Sequence, residues 1–163
     1  MVVRAFAEDD VDDVAKLLLD SGMLGFPTER ATLRAYLLGT IGAYPYGTYL
    51  VGVVEGEIVA TVGVSFNAET RRSFSSLAPP SDEAYLSDLT VDVDARGRGL
   101  GSAMLRGAED FARAMGANEM WLHVALKKPK VCAMYYDRGY GVAGVDPGLF
   151  GWRGRLLMRK KIE

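Results

Sequence analysis

The sequence has a single cysteine, Cys132, and a single histidine, His123. One thiol cannot close an internal disulfide, and a structural zinc site takes about four sulfur or nitrogen ligands, so a disulfide framework and such a zinc centre are both excluded. A reducing compartment and no metal are expected. Neither sign of charge is in surplus: 19 Lys and Arg against 21 Asp and Glu leave a formal net charge of -2. Gripping nucleic acid by its phosphates takes a basic excess gathered on one face, which argues against nucleic acid as a main partner. Long apolar runs are missing too. No stretch approaches the roughly 18 residues of a membrane span, and Met1 to Asp10 carries acids where a secretory signal has an apolar stretch. The expectation is a protein with no membrane partner, cytosolic, or stromal after removal of a transit peptide.

What is present is ordinary globular material, 49% hydrophobic and 25% charged. A chain of 163 residues suits one domain, 1–163, around one core. No internal repeat and no second domain are visible.

Val2 to Ala5 reads as a short strand. Asp9 or Asp10 can cap a helix whose Val11, Val14, Ala15 and Leu18 recur at helical spacing and which Gly22 stops. Thr28 can cap a second helix with Leu33, Tyr36 and Leu37 on one side, ending near Gly39. Thr48 to Val54 and Glu57 to Ser65, separated by Glu55-Gly56, read as a tight antiparallel hairpin. Ala84 to Val93 is a further strand. A glycine loop then opens a helix with Met104, Ala108, Phe111, Ala112 and Met115 along one stripe, stopped by Gly116. Met120 to Val124 is a strand, and Pro129 suits the first turn of a short helix through Arg138, ended by Gly139. Val142 to Val145 and Leu156 to Ile162 supply two last strands around a Gly-rich turn.

The glycine loop carries the chemistry. In Arg96-Gly97-Arg98-Gly99-Leu100-Gly101-Ser102 three glycines fall in five residues between a strand and an amphipathic helix, which places free backbone N–H groups at a helix N-terminus. Glycine lets main chain approach a phosphate and take positive φ, and Arg96 and Arg98 add charge. A tight strand-to-helix turn without a ligand is the bland alternative. A P-loop is excluded because no Lys-Ser or Lys-Thr follows the glycines. A dinucleotide fingerprint starting at Gly97 puts Ser102 in the third glycine position and is the weaker fit.

Arg96-x-x-Gly99-x-Gly101 resembles the [RQ]-x-x-G-x-[GA] signature of the GNAT acetyltransferases. Leu89-Thr90-Val91 looks like that family's strand before the loop, and Tyr135-Tyr136-Asp137-Arg138-Gly139-Tyr140 like its Y-x-x-x-G-[FY] segment. Lys128 stands where many members have asparagine, seven residues before the tyrosine. The resemblance is specific from about Tyr85 to Tyr140. It implies an α/β fold, a central, mostly antiparallel twisted sheet of about seven strands flanked by about four helices and splayed between the fourth and fifth strands. It also implies acetyl-CoA as cosubstrate, with the pantetheine arm beside Leu89, Thr90 and Val91, the diphosphate on residues 96–102, and Lys128 at the start of the next helix.

By the same resemblance, an acetyl group passes directly to a primary amine, and Tyr135 matches the acid that protonates the departing thiolate. A core aromatic beside Val131 and Met134 is its other reading. Tyr136, about 100° round the helix, is the lesser candidate. For the base, Asp88 is chosen, since strand alternation puts Leu86, Asp88 and Thr90 on one face. It resembles acids that contact or deprotonate the amine in aminoglycoside and polyamine acetyltransferases; an acid satisfied by hydrogen bonds is the alternative. Glu83, at the mouth of the same strand, is held in reserve as a base acting through water. His123 has an imidazole suited to acid–base work but reads as a packed strand residue. A Cys132–His123 covalent acyl-enzyme lacks its third activating group. The acceptor, a small amine or a protein amine, is expected against the N-terminal helices and the segments Gly39–Gly47 and Ala68–Asp82, where Tyr44, Tyr46 and Phe74 can wall an amine pocket. A non-catalytic acyl-CoA sensor of the same fold is the alternative function, and a homodimer stays open.

Overall fold

A computed structural model describes residues 1–22, 29–38, 47–66, 82–146 and 154–163. In chain order the described residues form β1 (Val2–Ala5), α1 (Val11–Asp20), α2 (Arg30–Leu37), β2 (Gly47–Val54), β3 (Glu57–Ser65), β4 (Ala84–Val91), α3 (Leu100–Ala114), β5 (Glu119–Ala125), α4 (Pro129–Tyr136), β6 (Gly141–Asp146) and β7 (Arg155–Lys161). The strands make one seven-stranded sheet in the order β1-β2-β3-β4-β5-β7-β6. It is mixed: β4 and β5 are parallel, from Ala84↔Met120 to Leu86↔Leu122, whereas β1–β2, β5–β7 and β6–β7 are antiparallel. This is the expected α/β architecture of seven strands with four helices. The residues cluster into two compact units interleaved along the chain, Met1–Val64 with Asp88–Asp110 and Ser65–Ser87 with Phe111–Glu163.

In the first unit the apolar stripe of α1 is buried at Val11, Val14, Ala15 and Leu18, as its spacing predicts. It packs with Leu33 and Leu37 of α2 and with Tyr49 and Val51 of β2 into one core. Asp10 occupies the N-cap position of α1, but its carboxylate does not cap that helix. It turns back to Arg4 (2.6 and 2.8 Å) and the Ala7 amide (2.8 Å). The Arg4 guanidinium first, then the Ala7 N–H, hold this carboxyl below the usual carboxylate range. Thr28, the expected cap of α2, lies outside the described residues. The β2–β3 hairpin turns through Glu55 (φ +53°) and Gly56 (φ +90°), the positive pair that a two-residue hairpin turn of right-handed twist requires.

β4 ends at Val91, two residues earlier than its composition suggests, because Asp92 accepts the Asp94 amide (2.9 Å) and starts a 3-10 turn, Val93–Ala95, with Val93 exposed. α3 then buries Met104, Leu105 and Ala108. Gly107 lets it approach β1: a Cβ there meets Val3 Cγ1 at 2.8 Å.

In the second unit β5 and β7 pair along their length, from Glu119↔Lys161 to Ala125↔Arg155, and Tyr85, Trp121 and Leu157 form a core cluster. α3 ends at Gly116 (φ +93°), with Ala117 N–H returning to Ala112 O at 3.1 Å. Met115, expected on the apolar stripe, is 61% exposed, because the helix has ended at Ala114 and the turn carries the side chain away. Pro129 sits in the first turn of α4, which stops at Tyr136, short of Arg138, and Gly139 (φ +85°) follows.

The close approach at Gly107 gives a first prediction. Gly107→Ala destabilises the fold by about 1 kcal/mol net, the overpacking against Val3 outweighing the roughly 1 kcal/mol that alanine gains over glycine within a helix. Thermal melting of Val3→Ala/Gly107→Ala recovers that loss relative to Val3→Ala alone.

Candidate functional site

The glycine loop belongs to the first unit. Arg96, Gly97, Arg98 and Gly99 are all exposed. Gly97 and Gly99 have φ of +76° and +77°, and a Cβ on either meets nothing within 4 Å. Arg98 between them does not share the positive φ. An alternation of that kind turns successive N–H groups toward one concave side, the geometry of an anion-binding nest. The Ala103 amide closes the first turn of α3 on Gly99 O at 3.1 Å. The first-turn N–H groups of Leu100 and Gly101 therefore continue the row at the positive end of the helix dipole. Arg96 Nε donates to Val91 O (3.1 Å), tying the loop to the end of β4. Gly101 lies against Val91, 3.6 Å from Cγ2 to an ideal Cβ.

Leu89, Thr90 and Val91 lead into this loop, with Thr90 buried and the other two half-buried. Asp88, just before them, has φ +54°. For a non-glycine residue inside a strand this conformation costs roughly 1 kcal/mol, and Asp is among the few side chains that tolerate it. The alternation assumed for Leu86, Asp88 and Thr90 needs an extended backbone throughout, so it is interrupted at Asp88. Instead the residue is pinned twice: Tyr49 Oη donates to Oδ2 (2.7 Å) and Thr90 Oγ1 donates to the Asp88 carbonyl (3.1 Å).

The second unit holds Tyr135, Tyr85, His123, Glu83 and Lys128. Tyr135, on the inner face of α4, is 5% exposed and packs edge-on against Tyr140 at 5.5 Å. Burial, and then the neighbouring Tyr85 and Cys132, push its phenol well above the ordinary tyrosine range. It stays O–H at neutral pH and is a weaker acid than a free tyrosine. Tyr136 is 49% exposed, as the helical rotation requires. Glu83 is engaged: its Oε2 accepts the backbone N–H groups of Asn118 (3.0 Å) and Glu119 (2.7 Å), fastening the start of β5. Lys128 is exposed at the N-cap position of α4. Cys132 is buried, with Sγ 3.7 Å from Ala125 O.

One pair was not legible in the sequence. Tyr85 Oη lies 2.8 Å from His123 Nδ1, and their rings are 5.7 Å apart. The histidine read as a packed strand residue is also half of a phenol–imidazole pair able to pass a proton. The signal existed only in the register: Tyr85 lies opposite Trp121 across the parallel ladder, which brings its side chain to the same face as His123 two residues on. Among the described residues no group of three or more His, Cys, Asp and Glu is placed to hold a metal, and no helix is long and apolar enough to cross a membrane. Tyr44, Tyr46 and Phe74 lie outside the described residues.

The loop, the pinned β4 residue and the buried α4 tyrosine fall in a segment that the sequence profile of the Acetyltransferase (GNAT) family matches, residues 12–140. The chain belongs to that family. It is 27% identical over 103 residues to streptothricin acetyltransferase of Streptomyces lavendulae, covering 63% of this chain and 49% of that protein. It is 28% identical to the chloroplastic GCN5-related N-acetyltransferase 5 of Arabidopsis thaliana, covering 99% of this chain and 59% of that one. The chain thus spans about half to three-fifths of the length of these curated relatives. Its fold matches the crystal structure of an aminoglycoside 6'-N-acetyltransferase complexed with coenzyme A, with a TM-score of 0.73 at 17% identity over 100% of this chain and 98% of that one.

Burial of the Tyr135 hydroxyl has a consequence for alkaline stability. The unfolded chain gives up this proton near pH 10, whereas the folded chain holds it to higher pH, so stability is intact below about pH 10 and falls as pH rises beyond it. In chemical denaturation at a series of alkaline pH values, Tyr135→Phe shows a shallower fall than the parent chain.

Proposed function

We propose that this chain transfers the acetyl group of acetyl-CoA directly to a primary amine. The single observation that carries the reading is the open, positive-φ amide row at Gly97 and Gly99 leading into α3. Neither glycine carries a Cβ, and among the described residues nothing lies within 4 Å of where one would stand, so a diphosphate can approach the main chain there. In this reading residues 96–102 take the diphosphate, the backbone of Leu89, Thr90 and Val91 pairs with the pantetheine arm, and Lys128 adds a cation at the start of α4.

The amine nitrogen forms the new C–N bond while the thioester C–S bond breaks and the sulfur leaves with the electron pair. An ammonium with a pKa of about 10 must lose a proton first. Asp88 is the base, and Glu83, already holding two amides, is the reserve through water. Tyr135 donates to the leaving sulfur. Its raised phenol makes full proton transfer to a thiolate of pKa about 8.5 uphill, so it acts chiefly as a hydrogen-bond donor to the developing negative charge. The acceptor is a polyamine- or aminoglycoside-like molecule, or the α- or lysine amine of a protein; the name of the streptothricin acetyltransferase relative supports a small-molecule acceptor.

The Tyr85–His123 hydrogen bond favours a second route for the amine proton, through the phenol to the imidazole. The two routes separate by mutation. With Asp88 as base, Asp88→Asn lowers kcat/KM by about 100-fold or more, and His123→Gln by less than about tenfold; the reverse order assigns the proton to the imidazole.

Calorimetry with CoA and coenzyme-release kinetics over a panel of amines test the whole reading. Gly99→Val abolishes most of the CoA affinity, while Tyr135→Phe keeps that affinity within about threefold and lowers kcat by about 100-fold. A chain that binds CoA and releases none with any amine is a sensor, and one that binds none at all overturns the assignment.

A further inference from the structure

Tyr49 takes no part in the chemistry above, yet it is the side chain that decides where the Asp88 carboxylate points. Its ring is 6% exposed, set in the first-unit core with Val14, Leu18 and Leu33 and edge-on to Phe6 at 6.4 Å, and its carbonyl accepts the Phe6 amide at 2.8 Å. A ring buried in that core and braced by Phe6 holds its hydroxyl in place, 2.7 Å from Asp88 Oδ2. Asp88 itself stands in a backbone conformation that side chains rarely adopt, held there by Thr90 Oγ1 on its carbonyl. Strain of this kind persists where the surroundings over-determine it, and it concentrates at working sites.

Two restraints thus act on one half-buried carboxylate, on its backbone and on one of its two oxygens. Among the described residues, Oδ1 has no partner, and no lysine, arginine or histidine forms an ion pair with Asp88. A half-buried carboxylate left without a cation favours one from outside. We propose that Tyr49 is a positioning residue, whose hydroxyl clamps Oδ2 so that Oδ1 faces the ammonium of a cationic acceptor and takes its proton. The inference rests on Asp88 being the base, and it adds that the aim of the carboxylate, as well as its charge, sets the rate.

The test uses the full chain, acetyl-CoA, and the best-used acceptor among 1,6-diaminohexane, an aminoglycoside and an α-amino tetrapeptide. Tyr49→Phe lowers kcat by about 10- to 100-fold, with the acceptor KM within about threefold and CoA affinity by calorimetry unchanged. Asp88→Glu, which keeps the charge and moves it by one methylene, is assayed where its thermal melt shows it folded, since glutamate tolerates this φ less well than aspartate; it loses kcat to a similar extent and serves should Tyr49→Phe fail to fold. Combined with Asp88→Asn, which tolerates the same backbone conformation, Tyr49→Phe costs nothing further, because the residue it positions is gone. If Asp88→Asn loses activity while Tyr49→Phe and Asp88→Glu stay within twofold of the parent chain, the positioning role is wrong and the base assignment stands. Losses that multiply independently in the double variant also overturn it. Normal turnover by Asp88→Asn removes the base assignment itself, and the role of Tyr49 with it.

Discussion

Between Asp88 and Gly99 the main chain takes positive φ three times, at +54° within β4 and at +76° and +77° in the connection from β4 to α3. Everything proposed for the site depends on this constraint. Regular strand and helix consume their N–H and C=O groups internally, so a protein that is to hold an anion by its backbone must break regular structure where the anion sits. Here the breaks fall before a half-buried strand end and before the first turn of a fifteen-residue helix. The two glycines make theirs cheaply; Asp88 makes its own against strain and is held by Tyr49 and Thr90.

The rest of the first unit serves to keep that connection still. Gly107 admits Val3 against α3, fixing the helix against β1, and Arg96 ties the loop back to Val91. The core of α1, α2 and β2 surrounds the Tyr49 ring, so a packing decision far from the loop sets the direction of a carboxylate beside it. In the second unit Glu83 fastens the start of β5 by two amides, and the buried pair Tyr135 and Tyr140 closes α4 against its turn, where Tyr140 N–H bonds to Tyr135 O at 3.1 Å. Desolvation keeps the Tyr135 phenol neutral, which in the proposed reaction suits a donor that steadies charge on sulfur better than one that surrenders its proton.

Local chemistry explains which elements were legible. The Glu55-Gly56 turn, the Pro129 start and the Gly116 and Gly139 stops each act within a few residues, and each falls where composition places it. The misreadings are of another kind. Asp10 has the chemistry of a helix cap but meets Arg4, six residues earlier in the chain, and a charged partner outcompetes a helix amide. Val93 suits a strand, but Asp92 captures the Asp94 amide first. Met115 fits the apolar period one residue beyond the point where the helix exists.

By itself the sequence determined the order of strands and helices and the glycine turn between β4 and α3, because glycine, proline and hydrophobic period act over short distances along the chain. Only the tertiary structure decided that Asp88 departs from the strand, that Tyr49, 39 residues away, holds its carboxylate, that Tyr85 meets His123 and that Glu83 is spent on two amides. These are contacts between residues far apart in the chain, set by strand register and by how a core closes around a ring, and no local pattern encodes them.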